Sequence, residues 1–302
     1  MKIVFMGTPE FAIPSLKKII ESKHEAVLVV SAPDKERGRG RHISFTPVKE
    51  FALKNNLEVL TPTSLNDEKF IARLKAVNAD LFVVVAFRIL PKEVHTIPKS
   101  GSFNLHGSLL PKYRGAAPIQ WSIINGEKET GVTTFFLEDK VDTGNIILQQ
   151  KIEVTDEDDL GTVYEKLMNL GADLVIETID NIETGSIQLK TQDESIACPA
   201  PKITKDICKI NWNLAAEKIH NLVRGLSPYP AAFFEHEGKN YKVYKSCIDK
   251  SVKTFSDKAG VLSTTKTEIF VQTQSGVLQL LELQPEGRKR MTAEEFLRGY
   301  NF

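Results

Sequence analysis

The sequence has no apolar run long enough to cross a membrane. Its most apolar segment, residues 81–86, is far shorter than the roughly 18 residues of a membrane-spanning helix, and it indicates a buried strand instead. Residues 1–5 lack a charged leader followed by a long apolar core, so we expect no secretory signal. These absences favour a cytoplasmic protein that does not bind membranes.

Cysteine is scarce, and the three thiols of Cys198, Cys208 and Cys247 do not have the spacing of a metal site. We therefore expect reduced structural thiols and no bound metal.

Glycine is scarce where a dinucleotide would need it, because the loop after the first apolar segment holds only Gly7. The nucleotide-binding fingerprint places several glycines there, so an NAD-dependent oxidoreductase is disfavoured.

The chain also lacks net charge, with 39 basic and 39 acidic residues among 302. A neutral chain gives no reason of its own to expect a nucleic-acid partner. The distribution is uneven, however, since residues 202–302 hold 16 Lys and Arg against 11 Asp and Glu. This imbalance favours contact between the carboxy-terminal part and a polyanion, although a solvated basic surface would give the same pattern.

Strand-like and helical segments alternate through the first 188 residues. Residues 2–6 form an apolar strand, and Thr8 with Pro9 predicts that a helix starts there and runs to about Ser22. Further strands are predicted at residues 26–30, 58–60, 80–86 and 102–106, helices at 48–54 and 68–76, two added strands at 130–137 and 146–154, and a closing helix at 160–184. The alternation predicts an α/β fold, Rossmann-like, with a mostly parallel sheet and flanking helices.

The carboxy-terminal part has a different pattern. After a helix near residues 215–225, short β-branched runs alternate with Gly and Asn turns, which predicts a small OB-like β-barrel. Such barrels often bind oligonucleotides. We therefore expect a catalytic domain at residues 1–188, a linker at 189–204 and a barrel that contacts RNA at 205–302.

The most informative residues for chemistry are Asn104, His106 and Asp142. On a strand at 102–106, Asn104 and His106 point to the same face, near the edge where open α/β sheets keep their sites. An amide donor and an imidazole can stabilise the oxyanion of a tetrahedral intermediate, and Asp142 can hold the histidine tautomer or relay a proton. The set favours acyl transfer between nitrogens. Taken singly, each residue is also compatible with a structural role in a turn, a cap or a core.

A second group of residues forms a basic loop after the second strand. Lys35, Arg37, Arg39 and Arg41 alternate there with glycine and other polar residues. We expect a mobile cationic arm without regular secondary structure that grips phosphates and bases. A disordered, merely solubilising loop would have the same composition.

Five stretches together resemble the methionyl-tRNA formyltransferase family. They are residues 6–12 (MGTPEFA), 33–40, 104–120 (NLHGSLLPKYRGAAPIQ), 129–144, and two short stretches of the tail at 226–233 and 283–287. The resemblance implies that Asn104, His106 and Asp142 are catalytic and that the basic loop, with Arg39 at the matching position, contacts the tRNA. It further implies a folate site at residues Ser108, Leu109, Leu110 and Pro111, and at Phe87 and Arg88. At these last two positions the family commonly has Tyr-Gly.

The implied reaction is formyl transfer from 10-formyltetrahydrofolate to the amino group of initiator methionyl-tRNA, by a protein that we expect to be a monomer. The same chemistry could act on a sugar-nucleotide amine or on glycinamide ribonucleotide, or the trio could activate water in a formyl-folate hydrolase. A non-catalytic folate- or RNA-binding module is disfavoured, because a pure binder does not need the trio. The basic loop and the carboxy-terminal part favour tRNA over the smaller amines.

Overall fold

The computed structural model describes residues 1–37, 42–248, 254–300 and 302. The chain forms two compact units. Unit 1 comprises residues 1–115, 130–152 and 164–199, and unit 2 comprises residues 116–129, 153–163 and 200–302. The domain limits predicted from the sequence, with a linker at 189–204, stay a prediction.

The strands within the described residues are β1 (Lys2–Gly7), β2 (Glu25–Val30), β3 (Lys35–Arg37), β4 (His42–Ser44), β5 (Val59–Leu60), β6 (Leu81–Val85), β7 (Ser102–His106), β8 (Arg114–Gly115), β9 (Glu129–Phe136), β10 (Ile146–Glu153), β11 (Pro199–Ala200), β12 (Ala232–His236), β13 (Lys239–Ile248), β14 (Leu262–Thr264), β15 (Ile269–Gln272), β16 (Val277–Pro285) and β17 (Met291–Thr292). The helices are α1 (Ile13–Glu21), α2 (Pro47–Lys54), α3 (Glu68–Val77), α4 (Lys92–His95), α5 (Pro118–Ile124), α6 (Leu160–Thr184), α7 (Lys205–Cys208), α8 (Ala216–Leu226) and α9 (Ala293–Leu297). None of these helices is long and apolar enough to cross a membrane.

Unit 1 is built on a seven-stranded sheet with the order β10-β9-β7-β6-β1-β2-β5. Neighbouring strands from β5 through β2, β1 and β6 to β7 are parallel, and β9 is antiparallel to β7. The central strand β6 has the sequence LFVVV, and all five residues are buried. A strand that is apolar on both faces is typical of a parallel sheet covered on both sides. The predicted α/β class with a mostly parallel sheet is confirmed.

The helix starts follow local capping rules, with one correction. Thr46 caps α2 by accepting from the Lys49 amide, and Asp67 caps α3 in the same way. The predicted helix start at Thr8 and Pro9 is wrong. A 3-10 turn occupies Glu10–Ala12, and α1 begins only at Ile13. A proline in the first turn of α1, where its missing amide proton costs nothing, marks the true start.

The base of the basic loop has regular structure. Strands β3 and β4 pair antiparallel, with Lys35 opposite Ser44 and Arg37 opposite His42. The expectation of a loop without secondary structure is therefore wrong for these residues. Two of the predicted RNA-binding residues, Arg39 and Arg41, lie outside the described residues.

Unit 2 contains a six-stranded antiparallel sheet in the order β12-β13-β16-β15-β14, with β17 paired to β16. Helix α8 buries Ile219, Val223 and Leu226 against this sheet, at the spacing of one helical face. The sheet confirms the predicted small barrel-like domain. Strand β17 and helix α9 were not predicted from the sequence, although α9 begins with a capping box of Thr292 and Glu295.

Candidate active site

Strand β7 presents the predicted amide and imidazole on one face of the sheet. Asn104 is half-buried and His106 is 5% exposed, and they lie two residues apart on a regular strand. Leu105 faces the other way. A Cβ added to Gly171 of α6 would lie 2.6 Å from the Leu105 side chain, so α6 packs closely on that opposite face. The strand parity predicted from the sequence is what the structure has.

Asp142 reaches this face through a loop that runs back along β7. Because β9 is antiparallel to β7, Phe136 pairs with Phe103, so β9 ends beside the start of β7. The loop nevertheless brings the Asp142 Oδ2 atom to 3.8 Å from His106 Nδ1. The same carboxylate oxygen accepts a hydrogen bond of 2.8 Å from the Gly115 amide. The loop between β9 and β10 must therefore reverse sharply.

The Asp-Thr-Gly sequence makes that reversal possible. Asp142 has a φ of 55°, a left-handed conformation that aspartate tolerates better than most residues. A Cβ atom on Gly144 would lie 1.7 Å from the carbonyl oxygen of Phe136. No side chain fits at that distance, so the loop path requires glycine at this position.

The imidazole of His106 is held by a backbone carbonyl. Its Nε2 atom lies 2.8 Å from the carbonyl oxygen of Tyr113. A carbonyl can only accept, so Nε2 carries a proton and Nδ1 is the nitrogen turned toward Asp142. The 3.8 Å between Nδ1 and Asp142 is too long for a direct hydrogen bond. Tyr113, with a φ of 64°, thus sets the tautomer that the sequence analysis assigned to Asp142.

Asn104 and Asp142 line one cleft, and His106 adjoins it through Asp142. The cleft has a volume of about 90 Å³, and Phe87 and Arg88 also line it. Within the part of the chain that the structure describes, the Asn104 carboxamide has no hydrogen-bond partner. Its two N–H donors are therefore available to a molecule in the cleft.

Arg88 forms one wall of the cleft. Its guanidinium donates to the carbonyl oxygens of Pro62 and Thr63 at 2.7 and 3.0 Å, and it lies 5.3 Å from the Phe87 ring. Burial lowers the pKa of Arg88 from its ordinary value, although arginine keeps its charge near neutrality. The left-handed residue of this stretch is Ala86, with a φ of 48°, so arginine is accommodated without backbone strain.

The other predicted folate residues are mostly engaged in internal contacts. The Ser108 hydroxyl donates to the carbonyl of Lys112, and the Ser108 carbonyl accepts from the Thr133 hydroxyl. Leu110 packs against Phe135. The cleft around Asn104 is lined by other residues. The assignment of Ser108, Leu109, Leu110 and Pro111 to the folate site stays a prediction.

The described residues include one cluster with metal-ligating atoms. Atoms of His24, Asp180 and Glu183 lie within 4.8 Å of one another. The ammonium of Lys23 pairs with both carboxylates, and the amino group of Met1 pairs with Glu183. These cations already neutralise the acidic groups, so the cluster is explained as an ion-pair network.

Comparisons with known proteins identify the family of the chain. A family model described as formyl transferase matches residues 1–179, and one described as formyl transferase, C-terminal domain, matches residues 202–301. An N-formyltransferase from Helicobacter canadensis, solved with folinic acid and dTDP-3-aminofucose, has a TM-score of 0.68 over 93% of this chain and 98% of its own. At 22% identity, that likeness shows the fold alone.

Two full-length relatives are closer in sequence. The methionyl-tRNA formyltransferase of Flavobacterium johnsoniae is 48% identical over 307 residues, which cover 100% of this chain and 97% of that protein. The methionyl-tRNA formyltransferase of Thermodesulfovibrio yellowstonii is 48% identical over 298 residues, which cover 98% and 95%. The chain belongs to the methionyl-tRNA formyltransferase family.

Proposed function

We propose that the chain transfers the formyl group of 10-formyltetrahydrofolate to the amino group of methionyl-initiator tRNA by direct attack. The observation that carries the proposal is the shared cleft. Asn104 and Asp142 line it together, and the Asp142 carboxylate lies 3.8 Å from the buried imidazole of His106. Family membership supplies the two substrates, and the site supplies groups suited to the reaction between them.

The reaction forms one C–N bond and breaks another. The methionyl amine attacks the formyl carbon, which gives a tetrahedral intermediate with a negatively charged oxygen. Collapse of this intermediate breaks the bond to N10 of the folate, and N10 gains the proton that the amine loses. The products are formyl-methionyl-tRNA and tetrahydrofolate. The protein must stabilise the oxyanion and move one proton, which needs neither a nucleophilic side chain nor an acyl-enzyme.

The trio divides these two tasks. Asn104 offers an uncharged NH₂ group that has no partner among the described residues, and a preorganised donor of this kind contributes about 100- to 1,000-fold to turnover. His106 presents Nδ1 because the Tyr113 carbonyl occupies Nε2. The Asp142 carboxylate lines the cleft and lies 3.8 Å from Nδ1, so it can accept a proton from the amine and pass it toward N10. The Gly115 amide keeps the carboxylate in this position.

The cleft supports the proposed folate site. Phe87 offers an aromatic ring for a flat heterocycle, and Arg88 holds the wall on which that ring lies. We assign Ser108, Leu109, Leu110 and Pro111 to the same co-substrate on family resemblance. The fold and the residues do not call for a metal in this mechanism, because the oxyanion has protein donors.

We assign tRNA contacts to Lys35, Arg37, Arg39 and Arg41, and to the basic domain that we place at residues 205–302. The support is the charge of the arm and the surplus of basic residues after Lys202. Arg39→Ala should raise KM or lower kcat/KM for the tRNA and leave formyl-folate binding unchanged. Unchanged tRNA kinetics would remove the arm from the mechanism.

We also infer a cytoplasmic monomer, and light scattering that gave twice the 33.8 kDa chain mass would exclude a monomer.

The decisive experiment compares amine substrates and trio variants. The wild-type protein should formylate charged initiator tRNA in the presence of 10-formyltetrahydrofolate and leave a dTDP-amino sugar unmodified. Asn104→Ala, His106→Ala and Asp142→Ala should each lower kcat by about 100-fold or more while the variants remain folded, as a cooperative melting transition would show. Faster formylation of the sugar amine would favour the sugar-nucleotide alternative. Near-normal turnover in the three variants would refute the assigned roles.

A further inference from the structure

Gln192 is a buried polar residue close to the proposed catalytic loop. It lies in the segment 180–201 that neither family model covers, and within the stretch that the sequence analysis treated as a linker. The residue is only 6% exposed, while its chain neighbours Thr191 and Asp193 are exposed. A buried amide at such a position requires hydrogen-bond partners, and its partners indicate its role.

The amide nitrogen of Gln192 donates to two backbone carbonyls of the Asp142 loop. Nε2 lies 2.9 Å from the carbonyl oxygen of Asp142 and 2.8 Å from that of Gly144. These two carbonyls flank Thr143, at the point where the loop reverses. The two hydrogen bonds thus pin both sides of the turn that carries the proposed catalytic carboxylate.

The amide oxygen of Gln192 faces the other way and accepts from Arg114. The Arg114 Nε and Nη2 atoms lie 3.1 and 2.8 Å from Oε1. Arg114 also forms a two-armed ion pair with Glu194, at 2.9 and 2.7 Å. A guanidinium only donates and a carbonyl only accepts, so the residue between them must accept on one side and donate on the other. Glutamine meets this requirement, whereas glutamate or methionine of similar size does not.

We propose that Gln192 is a positioning residue for the formyl transfer. Gln192 links the Asp142 loop to Arg114. This link keeps the Asp142 carboxylate at the Gly115 amide and 3.8 Å from His106. Arg114 and Gly115 are adjacent in β8. Arg114 binds Gln192 and Gly115 binds the Asp142 carboxylate, so both residues of this short strand contact the network that holds the loop. The inference rests on the proposed role of Asp142 in catalysis.

The test compares Gln192→Glu and Gln192→Met with a matched control. Glutamate keeps the acceptor for Arg114 but turns a carboxylate toward two carbonyls, and methionine keeps the volume without either polar group. Both should lower kcat about 10- to 100-fold, as a misplacement near 1 Å does, with KM for both substrates within about twofold. Gln188→Glu, in the same segment but exposed, should match the wild type. Melting temperatures report whether each variant is folded.

A double variant separates positioning from a general loss of structure. If Gln192 acts through Asp142, kcat of Gln192→Met combined with Asp142→Ala should be no lower than that of Asp142→Ala alone. If the two losses in kcat multiply, the residues act independently and the inference is overturned. The inference is also overturned if both single Gln192 variants keep kcat within about threefold of wild type while Asp142→Ala is inactive. In that last case the proposed function would stand. Normal turnover in Asp142→Ala would instead refute the proposed function.

Arg114→Lys keeps the test decisive if the Gln192 variants do not fold. Lysine preserves the charge opposite Glu194 and loses the two-nitrogen contact with Oε1, and the Arg114 side chain is 15% exposed. A several-fold fall in kcat at unchanged KM and melting temperature would support the inference. Unchanged kcat would overturn it.

Discussion

Gly144→Ala is the substitution whose effect follows most directly from the structure. The new methyl group would lie 1.7 Å from the carbonyl oxygen of Phe136, where contacts below 3.0 Å are essentially never found. The contact is with backbone rather than with a flexible side chain, so the loop itself must move by about 1 Å or more. Asp142, two residues away in the same turn, would move with it. The Gly115 hydrogen bond of 2.8 Å would then be lost.

The size of the effect can be estimated from that displacement. A misplacement of about 1 Å at a reacting group costs roughly 100-fold in rate, so kcat should fall by about that factor. Formyl transfer to charged initiator tRNA would be measured at saturating folate, together with the melting temperature. Gly299→Ala is the control, because an added Cβ there meets no atom within 4 Å. A kcat within about threefold of wild type would show that the loop accommodates the methyl group without displacing Asp142.

Three further predictions concern the cleft, the core and the surface. Arg88→Gly frees the carbonyls of Pro62 and Thr63 from the cleft wall, so the Kd for tetrahydrofolate should rise several-fold by calorimetry. Arg224→Met removes three hydrogen bonds from a residue that is 5% exposed, and urea unfolding should show a loss of about 2–4 kcal/mol from the freed acceptors. The Lys23 ammonium, with the amino group of Met1, lowers the pKa of Glu183 from 4.5 to about 2. A carboxyl group with a lowered pKa stabilises the fold above pH 4.5, and this contribution is lost as the pH falls toward 2. The melting temperature of Glu183→Gln should therefore depend less on pH across that range than the melting temperature of the wild type.

Each of these predictions has a contrary result. A tetrahydrofolate Kd unchanged in Arg88→Gly would mean that the wall keeps its shape without the guanidinium. A loss below about 1 kcal/mol in Arg224→Met would mean that water or other groups satisfy the freed acceptors. If the melting temperature of Glu183→Gln falls as steeply with pH as that of the wild type, other carboxylates cause the low-pH sensitivity.

The placement of Asn104 and His106 could be predicted because it depends on local pattern. Strand β7 spans the predicted residues, Ser102–His106, and its two-residue period puts both side chains on one face. Helix α6 likewise spans the predicted Leu160–Thr184, because an apolar stripe at helical spacing continues without a proline. In both elements the signal lies in neighbouring residues, so no tertiary information was needed.

The contacts that hold His106 and Asp142 in place could not be predicted from the sequence, because they depend on backbone groups and on residues distant in the chain. The Tyr113 carbonyl that holds His106 leaves no trace in the identity of the Tyr113 side chain. Gln192 acts on a turn that lies 48 and 50 positions earlier in the chain. Helix α9 is different, since Thr292 and Glu295 form a capping box whose spacing was readable in the sequence.

The doubling back of the chain after β9 makes loop length as restrictive as loop composition. One residue inserted or removed between Phe136 and Asp142 would displace the carboxylate by up to about 3.5 Å along the strand, away from the Gly115 amide that it accepts from. Val141, which is 48% exposed, has room to vary in its side chain. Functional relatives are therefore expected to differ freely in what this loop displays to solvent, but to keep the same number of residues in it.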